Sequence, residues 1–199
     1  MQYLYRETGK VSFNDRCTAY NQEPFIFWFT GLSGAGKSTI ADAFEKRLFD
    51  RGQVVFSLDA DDLRKKLNTD LGFSMEDRAE NVRRAAETAR LMQDAGVIVL
   101  ATFISPTHSI RKQAREIARQ GMFLEVYVKA SLETCIARDP KGFYKKALNG
   151  EIKNYTGIAS VYEVPDHPDL VLDTDADNVQ TCVKKLMQLA VSTGVIKEK

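Results

Sequence analysis

Cysteine is scarce: Cys17, Cys135 and Cys182 are the only three in 199 residues. They are odd in number, widely spaced and form no CxxC pair or Cys/His cluster, so neither a disulfide framework nor a zinc site is suggested. They read instead as small buried apolar residues. An excess of charge of one sign is also missing, with 28 Lys and Arg against 27 Asp and Glu and a formal net charge of +1. The lack of a general basic surface argues against a duplex-binding protein, so no nucleic-acid partner is expected, and any anion site has to be a local concentration of Lys and Arg. No apolar run approaches the ~18 residues that a membrane span needs, and Met1-Gln-Tyr-Leu-Tyr-Arg-Glu7 contains no apolar signal core. The expectation is a reduced, cytoplasmic protein with no membrane partner, whose 199 residues, 44% of them hydrophobic, suffice for one core and one domain.

What the chain does have is concentrated between residues 25 and 39. An apolar strand, Phe25-Ile-Phe-Trp-Phe-Thr30, runs into Gly31-Leu-Ser-Gly-Ala-Gly-Lys-Ser-Thr39 and then into a helical pattern. Glycines at 31, 34 and 36 allow backbone angles and a close approach that a Cβ would block, so successive N–H groups can turn toward phosphate oxygens. Lys37 then reaches the β- and γ-phosphates, and the Ser38 hydroxyl can ligate Mg²⁺. The following helix adds the positive end of its dipole. Gly31, Ser33, Gly34, Ala35, Gly36, Lys37, Ser38 and Thr39 are therefore the expected ATP-binding residues. A signalling GTPase would also need a guanine-selecting Asn-Lys-x-Asp, which is absent.

Strand and helix patterns alternate through the rest of the chain. Ile40, Phe44 and Leu48 recur at helical spacing up to Gly52, and Val54–Leu58 follows as a short strand. A helix from about Asp77 to Gly96 feeds a strand over Val97–Phe103. Another from about Ser109 to Arg119 feeds Phe123–Val128. Ser131–Arg138 reads as helix, Leu170–Leu172 as a last strand, and Val179 to Ala190 as a C-terminal helix. Continuous apolar strands between helices predict an α/β fold of the P-loop NTPase type, a parallel sheet with helices on both faces in a single domain. Residues 1–24, polar and without clear period, are expected to be an irregular N-terminal extension before a domain over 25–199.

Ligands in such sheets sit beyond the carboxyl ends of the strands. At the end of the second strand, Asp59 and Asp61 could share two tasks, one ordering Mg²⁺ and the other taking a proton from an attacking hydroxyl, although an acidic helix start would give the same pattern. At the end of the third, Phe103-Ile-Ser-Pro106 offers Ser105 either as a cap or as a reactive hydroxyl.

These segments, together with Asp70-Leu-Gly-Phe-Ser74, Asp77-Arg-Ala-Glu-Asn-Val-Arg-Arg84, Arg138-Asp-Pro-Lys-Gly-Phe-Tyr-Lys-Lys146 and Gly150-Glu-Ile-Lys-Asn-Tyr-Thr-Gly-Ile158, resemble the adenylyl-sulfate (APS) kinases over about residues 25 to 175. The resemblance implies transfer of the ATP γ-phosphoryl group to the 3′-hydroxyl of adenosine 5′-phosphosulfate, giving PAPS and ADP with Mg²⁺, in a homodimer. It implies that Arg64, Arg78 and Asn81 hold the phosphosulfate and ribose, that Phe73 and Tyr155 sandwich the substrate adenine, and that Ile104, Ser105 and Asn154 touch the same substrate. Lys141 falls at the family's lid lysine, in a lid over about 138–158. Asp61 is the expected acceptor-site carboxylate, with Ser38 and Asp59 nearer the metal. Ser105 is expected to contact substrate rather than to carry the phosphoryl group. The family usually has Asp-Gly-Asp-Asn where this chain has Asp59-Ala-Asp-Asp62, and commonly Arg-His-Gly where it has Arg64-Lys-Lys66. The alternatives are a paralogous kinase acting on another nucleotide anhydride, such as cytidine diphosphoramidate, and a non-catalytic nucleotide-binding module.

Overall fold

Alternating side chains of one short strand build both halves of the core. In a computed structural model describing residues 9–152 and 155–198, strand β1 (Ile26–Thr30) is buried along its whole length. Phe27 and Phe29 point into one apolar cluster, and Ile26 and Trp28 into another, as the two-residue period of a strand requires. On the first face, helices α2 (Lys37–Phe49) and α8 (Val179–Ser192) contribute Ile40, Phe44, Leu48 and Leu186. On the second, α4 (Met75–Asp94) and α5 (His108–Ile117) contribute Val82, Ala86, Ala89, Ile110 and Ala114. Trp28 stacks between Phe103 and Phe123, with ring centroids 5.0 and 5.9 Å away.

The other strands are β2 (Val55–Asp59), β3 (Ile98–Thr102), β4 (Phe123–Lys129) and β5 (Leu170–Asp173). All pairings are parallel, in the order β2-β3-β1-β4-β5. This is the expected α/β sheet covered on both faces. Register brings the strand ends together, with Asp59 opposite Thr102, Thr102 opposite Phe29, and Thr30 opposite Tyr127. The loops that leave this edge therefore share one rim, where a parallel sheet places its ligands.

Three short helices complete the order: α3 (Ala60–Arg64), α6 (Leu132–Arg138) and α7 (Phe143–Leu148). Within the stretch expected to be irregular, Phe13–Tyr20 forms a further helix, α1. It has no buried residue, but its start is a capping box in which Ser12 and Asp15 satisfy each other's backbone N–H groups. Arg119 covers the Phe13 ring at 3.7 Å, and buried Gln22 donates to the carbonyls of Val54 and Gly96, both at 2.8 Å. Residues 1–8 of that expectation lie outside the described residues. Among the described residues no helix is long and apolar enough to cross a membrane.

Candidate active site

The phosphate loop takes its shape from glycines with no room for a side chain. Gly31 has a φ of +148°, and a Cβ there would stand 2.3 Å from the carbonyl oxygen of Val128. The first turn of the loop is thus pressed onto β4, and Gly31 is not part of the cavity wall. Gly36, at φ +101°, is the N-cap of α2 and leaves the helix's first N–H groups without a side-chain partner, available for an anion.

A cavity of about 1110 Å³ opens over this loop, above the roughly 300–1,000 Å³ of a pocket for one small molecule. Its walls include Ser33, Gly34, Ala35, Gly36, Lys37, Ser38 and Thr39 from the loop and α2, and Asp59, Asp61 and Arg64 from the end of β2 and α3. Phe73, Arg78, Asn81, Ile104, Ser105, Lys141 and Tyr155 line it as well. The expected ATP and acceptor residues thus share one space, apart from Gly31, which does not line it, and Asn154, which lies outside the described residues.

Asp59 is fixed from three sides. Its Oδ2 accepts from Ser38 Oγ at 2.7 Å and Thr102 Oγ1 at 2.8 Å, and its Oδ1 from the Asp61 N–H at 2.9 Å. Burial works to raise its pKa, but these hydrogen bonds outweigh it and hold the carboxyl below the usual range. It is an anion next to the loop serine. Asp61, two residues on, is ion-paired with Lys141 from the α6–α7 connection.

Lys37 donates to the carbonyls of Gly31 at 3.0 Å and Leu32 at 2.8 Å. Desolvation of its ammonium pushes the pKa down from 10.5 to about 8. The unfolded chain therefore holds one more proton than the ligand-free folded chain between about pH 8 and 10.5, and stability contributed through Lys37 rises with pH across that window. In urea unfolding, Lys37→Met should lose this rise relative to the unsubstituted protein. An identical pH dependence in both would rule out a desolvated Lys37.

Among the residues expected to hold the acceptor, Arg64 lies over the Phe73 ring at 4.5 Å and donates to the Gly72 carbonyl at 2.7 Å. Arg78 donates to the Phe73 carbonyl at 3.0 Å and to Thr156 Oγ1 at 2.7 Å. Asn81 is buried and accepts from buried Asn68 at 3.0 Å. The two aromatics differ in kind: Phe73 is 64% exposed, whereas Tyr155 is buried edge-on against Tyr144 with centroids 5.0 Å apart. Phe73 is an exposed ring that Arg64 lies over, and Tyr155 is part of the wall.

Sequence reasoning missed the far end of the cavity, where Thr174, Asp177, Asn178, Val179 and Gln180 join Arg138. Arg138 donates to the Thr174 carbonyl at 2.7 Å and to the Gly34 carbonyl at 3.3 Å, and Thr174 Oγ1 donates to the Ala35 carbonyl at 2.9 Å. This clamp ties the phosphate loop to the β5–α8 connection. The only signal for it was position, since the segment follows a strand's carboxyl end.

A sequence model of the family described as Adenylylsulphate kinase matches residues 23–173. The adenylyl-sulfate kinase of Marinobacter nauticus is 50% identical over 188 residues, 94% of each chain. That of Clostridium kluyveri is 52% identical over 166 residues, 83% of each. Among solved structures, the Mycobacterium tuberculosis APS kinase in complex with AMPPNP and APS superposes with a TM-score of 0.81 at 45% identity, over 84% of this chain and 98% of that one.

Proposed function

Because the chain belongs to the adenylylsulphate kinase family, we infer that it transfers the γ-phosphoryl group of ATP to the 3′-hydroxyl of adenosine 5′-phosphosulfate, giving PAPS and ADP. One observation supports the reading most: the ion-paired Asp61 and Lys141 line the same cavity as the phosphate loop and as Arg64, Arg78 and Asn81, and at about 1110 Å³ that cavity exceeds what one small molecule needs.

The phosphate loop N–H groups and Lys37 hold the triphosphate. Lys37 leaves the Gly31 and Leu32 carbonyls for phosphate oxygens, whose charge returns its pKa toward the ordinary range. Ser38 Oγ and the Asp59 carboxylate, 2.7 Å apart, are the hard oxygen donors that Mg²⁺ takes beside nucleotide phosphates, and they would hold it here. When bound, the ion would neutralise charge on the β- and γ-phosphates.

Asp61 orients the acceptor hydroxyl and takes its proton as the oxygen attacks phosphorus. Lys141 exchanges Asp61 for the transferring phosphoryl group, and the lid over about 138–158 closes to exclude water as a competing acceptor. Arg64 and Arg78 present planar forks suited to the phosphosulfate, with Asn81 on the ribose and Ile104 and Ser105 against the bound substrate. The adenine stacks on Phe73, with Tyr155 as the opposing surface.

Phe73→Ala should raise the APS KM about tenfold, the loss of one base–aromatic stack, with kcat and thermal stability unchanged because the ring is 64% exposed. An unchanged KM would remove Phe73 from the base site. The reaction itself is tested by ADP release with Mg-ATP and APS, AMP, a cytidine diphosphate-type acceptor or no acceptor, the product's phosphate position being fixed by mass and NMR. Stimulation by APS alone with a 3′-phosphate is expected. Turnover with another nucleotide only would move the acceptor, and the altered Ala60-Asp61-Asp62 segment would be the place to look. A cytoplasmic location accords with three free cysteines. A homodimer is the assembly that the family resemblance implies, and sedimentation would measure it.

A further inference from the structure

The loop after β3 carries Ile104 and Ser105 into the acceptor half of the cavity, and its three consecutive carbonyls are all held from outside it. Thr30 Oγ1 donates to the Ile104 carbonyl at 2.7 Å, Arg111 Nη1 to that of Ser105 at 2.9 Å, and the Glu163 N–H to that of Pro106 at 2.8 Å. Ser105 is buried, with a φ of +38° that a non-glycine residue rarely adopts. Its Oγ accepts from the Trp28 indole N–H at 3.1 Å, so the hydroxyl is engaged from below.

Arg111 is the centre of this arrangement. It is 3% exposed, and each edge of its guanidinium has a different partner: Glu125 at 2.8 Å through Nε, the Ser105 carbonyl through Nη1, and His108 Nδ1 at 3.2 Å through Nη2. A buried charge is costly unless paired, and nothing in the phosphate loop needs this one. We propose that Arg111, with Trp28, is a positioning residue for the phosphoryl acceptor, holding Ser105 in its left-handed conformation so that the 104–106 loop turns its carbonyls away from the bound anion. The oxygens that would repel a phosphosulfate are thereby occupied by donors behind the loop.

The proposal rests on the acceptor being bound where the preceding section places it. Arg111→Lys keeps a cation beside Glu125, but an ammonium lacks the planar fork that serves three partners in fixed directions. The APS KM should rise about 10- to 100-fold, the scale of a small misplacement in a positioned site, with the ATP KM unchanged. Trp28 is the sole tryptophan of the chain, so its fluorescence reports the loop without turnover, and its emission should shift in Arg111→Lys. Adding Ser105→Gly to that variant should recover part of the APS affinity, because glycine holds a positive φ without penalty. Trp28→Phe, which deletes the indole N–H, should raise the APS KM in the same sense, and it serves as the test if Arg111→Lys does not fold.

Equal rises in both KM values, or lowered thermal stability with the APS KM and Trp28 emission unchanged, would overturn the proposal. Absence of APS-dependent ADP release from the unsubstituted protein would instead overturn the function beneath it. Trp28 emission in Arg111→Lys would then still decide the geometry.

Discussion

Lys37→Ala should lower kcat by about 10³-fold or more, since a fixed cation on a transferring phosphoryl group contributes on the scale of 10³–10⁵. The fold should survive. Lys37 is a desolvated ammonium whose bonds go to two carbonyls of its own loop, so its removal relieves a cost in the ligand-free protein instead of breaking the core. The measurement is kcat at saturating ATP and APS beside a thermal melt. Retention of more than about a tenth of the activity would mean that Lys141 and the loop amides suffice, contrary to the role argued from charge stabilisation.

Asp61→Ala should lower kcat by about 10²–10⁴-fold, the usual contribution of a positioned general base, while leaving ATP binding in place. The separation follows from geometry. Asp59, not Asp61, bonds to Ser38 and Thr102, whereas Asp61 pairs with Lys141. Asp61→Asn distinguishes charge from shape. If the carboxylate accepts a proton, asparagine should be as inactive as alanine, and if it only orients the hydroxyl, asparagine should recover activity. Full activity in Asp61→Ala would remove the residue from the acceptor site.

The sheet was legible because its strands are short apolar runs between amphipathic helices, and burial on both faces leaves such runs little else to be. The phosphate loop was legible because its backbone demands glycine at fixed places. Strand order was not: nothing in Val97–Phe103 says that it pairs with both β1 and β2. Helix α1 was missed because it buries nothing, although Ser12 and Asp15 spell a capping box that could have been read. The lid was named by its lysine alone, and nothing in the sequence separated exposed Lys145 and Lys146 from their neighbour Tyr144, which is fully buried and donates to the Ser33 carbonyl at 3.0 Å.

The acceptor residues were named by resemblance, and their partners could not have been. The Lys141 and Asp61 pairing spans 80 residues, and the Arg138 clamp joins two loops on different strands. The left-handed Ser105 is likewise a tertiary fact. Ser-Pro predicts only a helix entry, and the conformation depends on donors from Arg111, Thr30 and Trp28.

The position of β1 gives the two substrates unequal protection against partial opening. β1 is flanked on both sides and wholly buried, and it leads directly into the phosphate loop. β2 lies at the sheet's edge with Phe56 51% exposed, and it carries Asp59 into Asp61. Strands with one neighbour and a wet face exchange their amide hydrogens through smaller openings than central ones do. As denaturant or heat loosens the molecule, the β2 edge should detach before β1. Over that interval the enzyme would pass through a state that still captures ATP but no longer uses it, so loss of activity would precede loss of nucleotide binding.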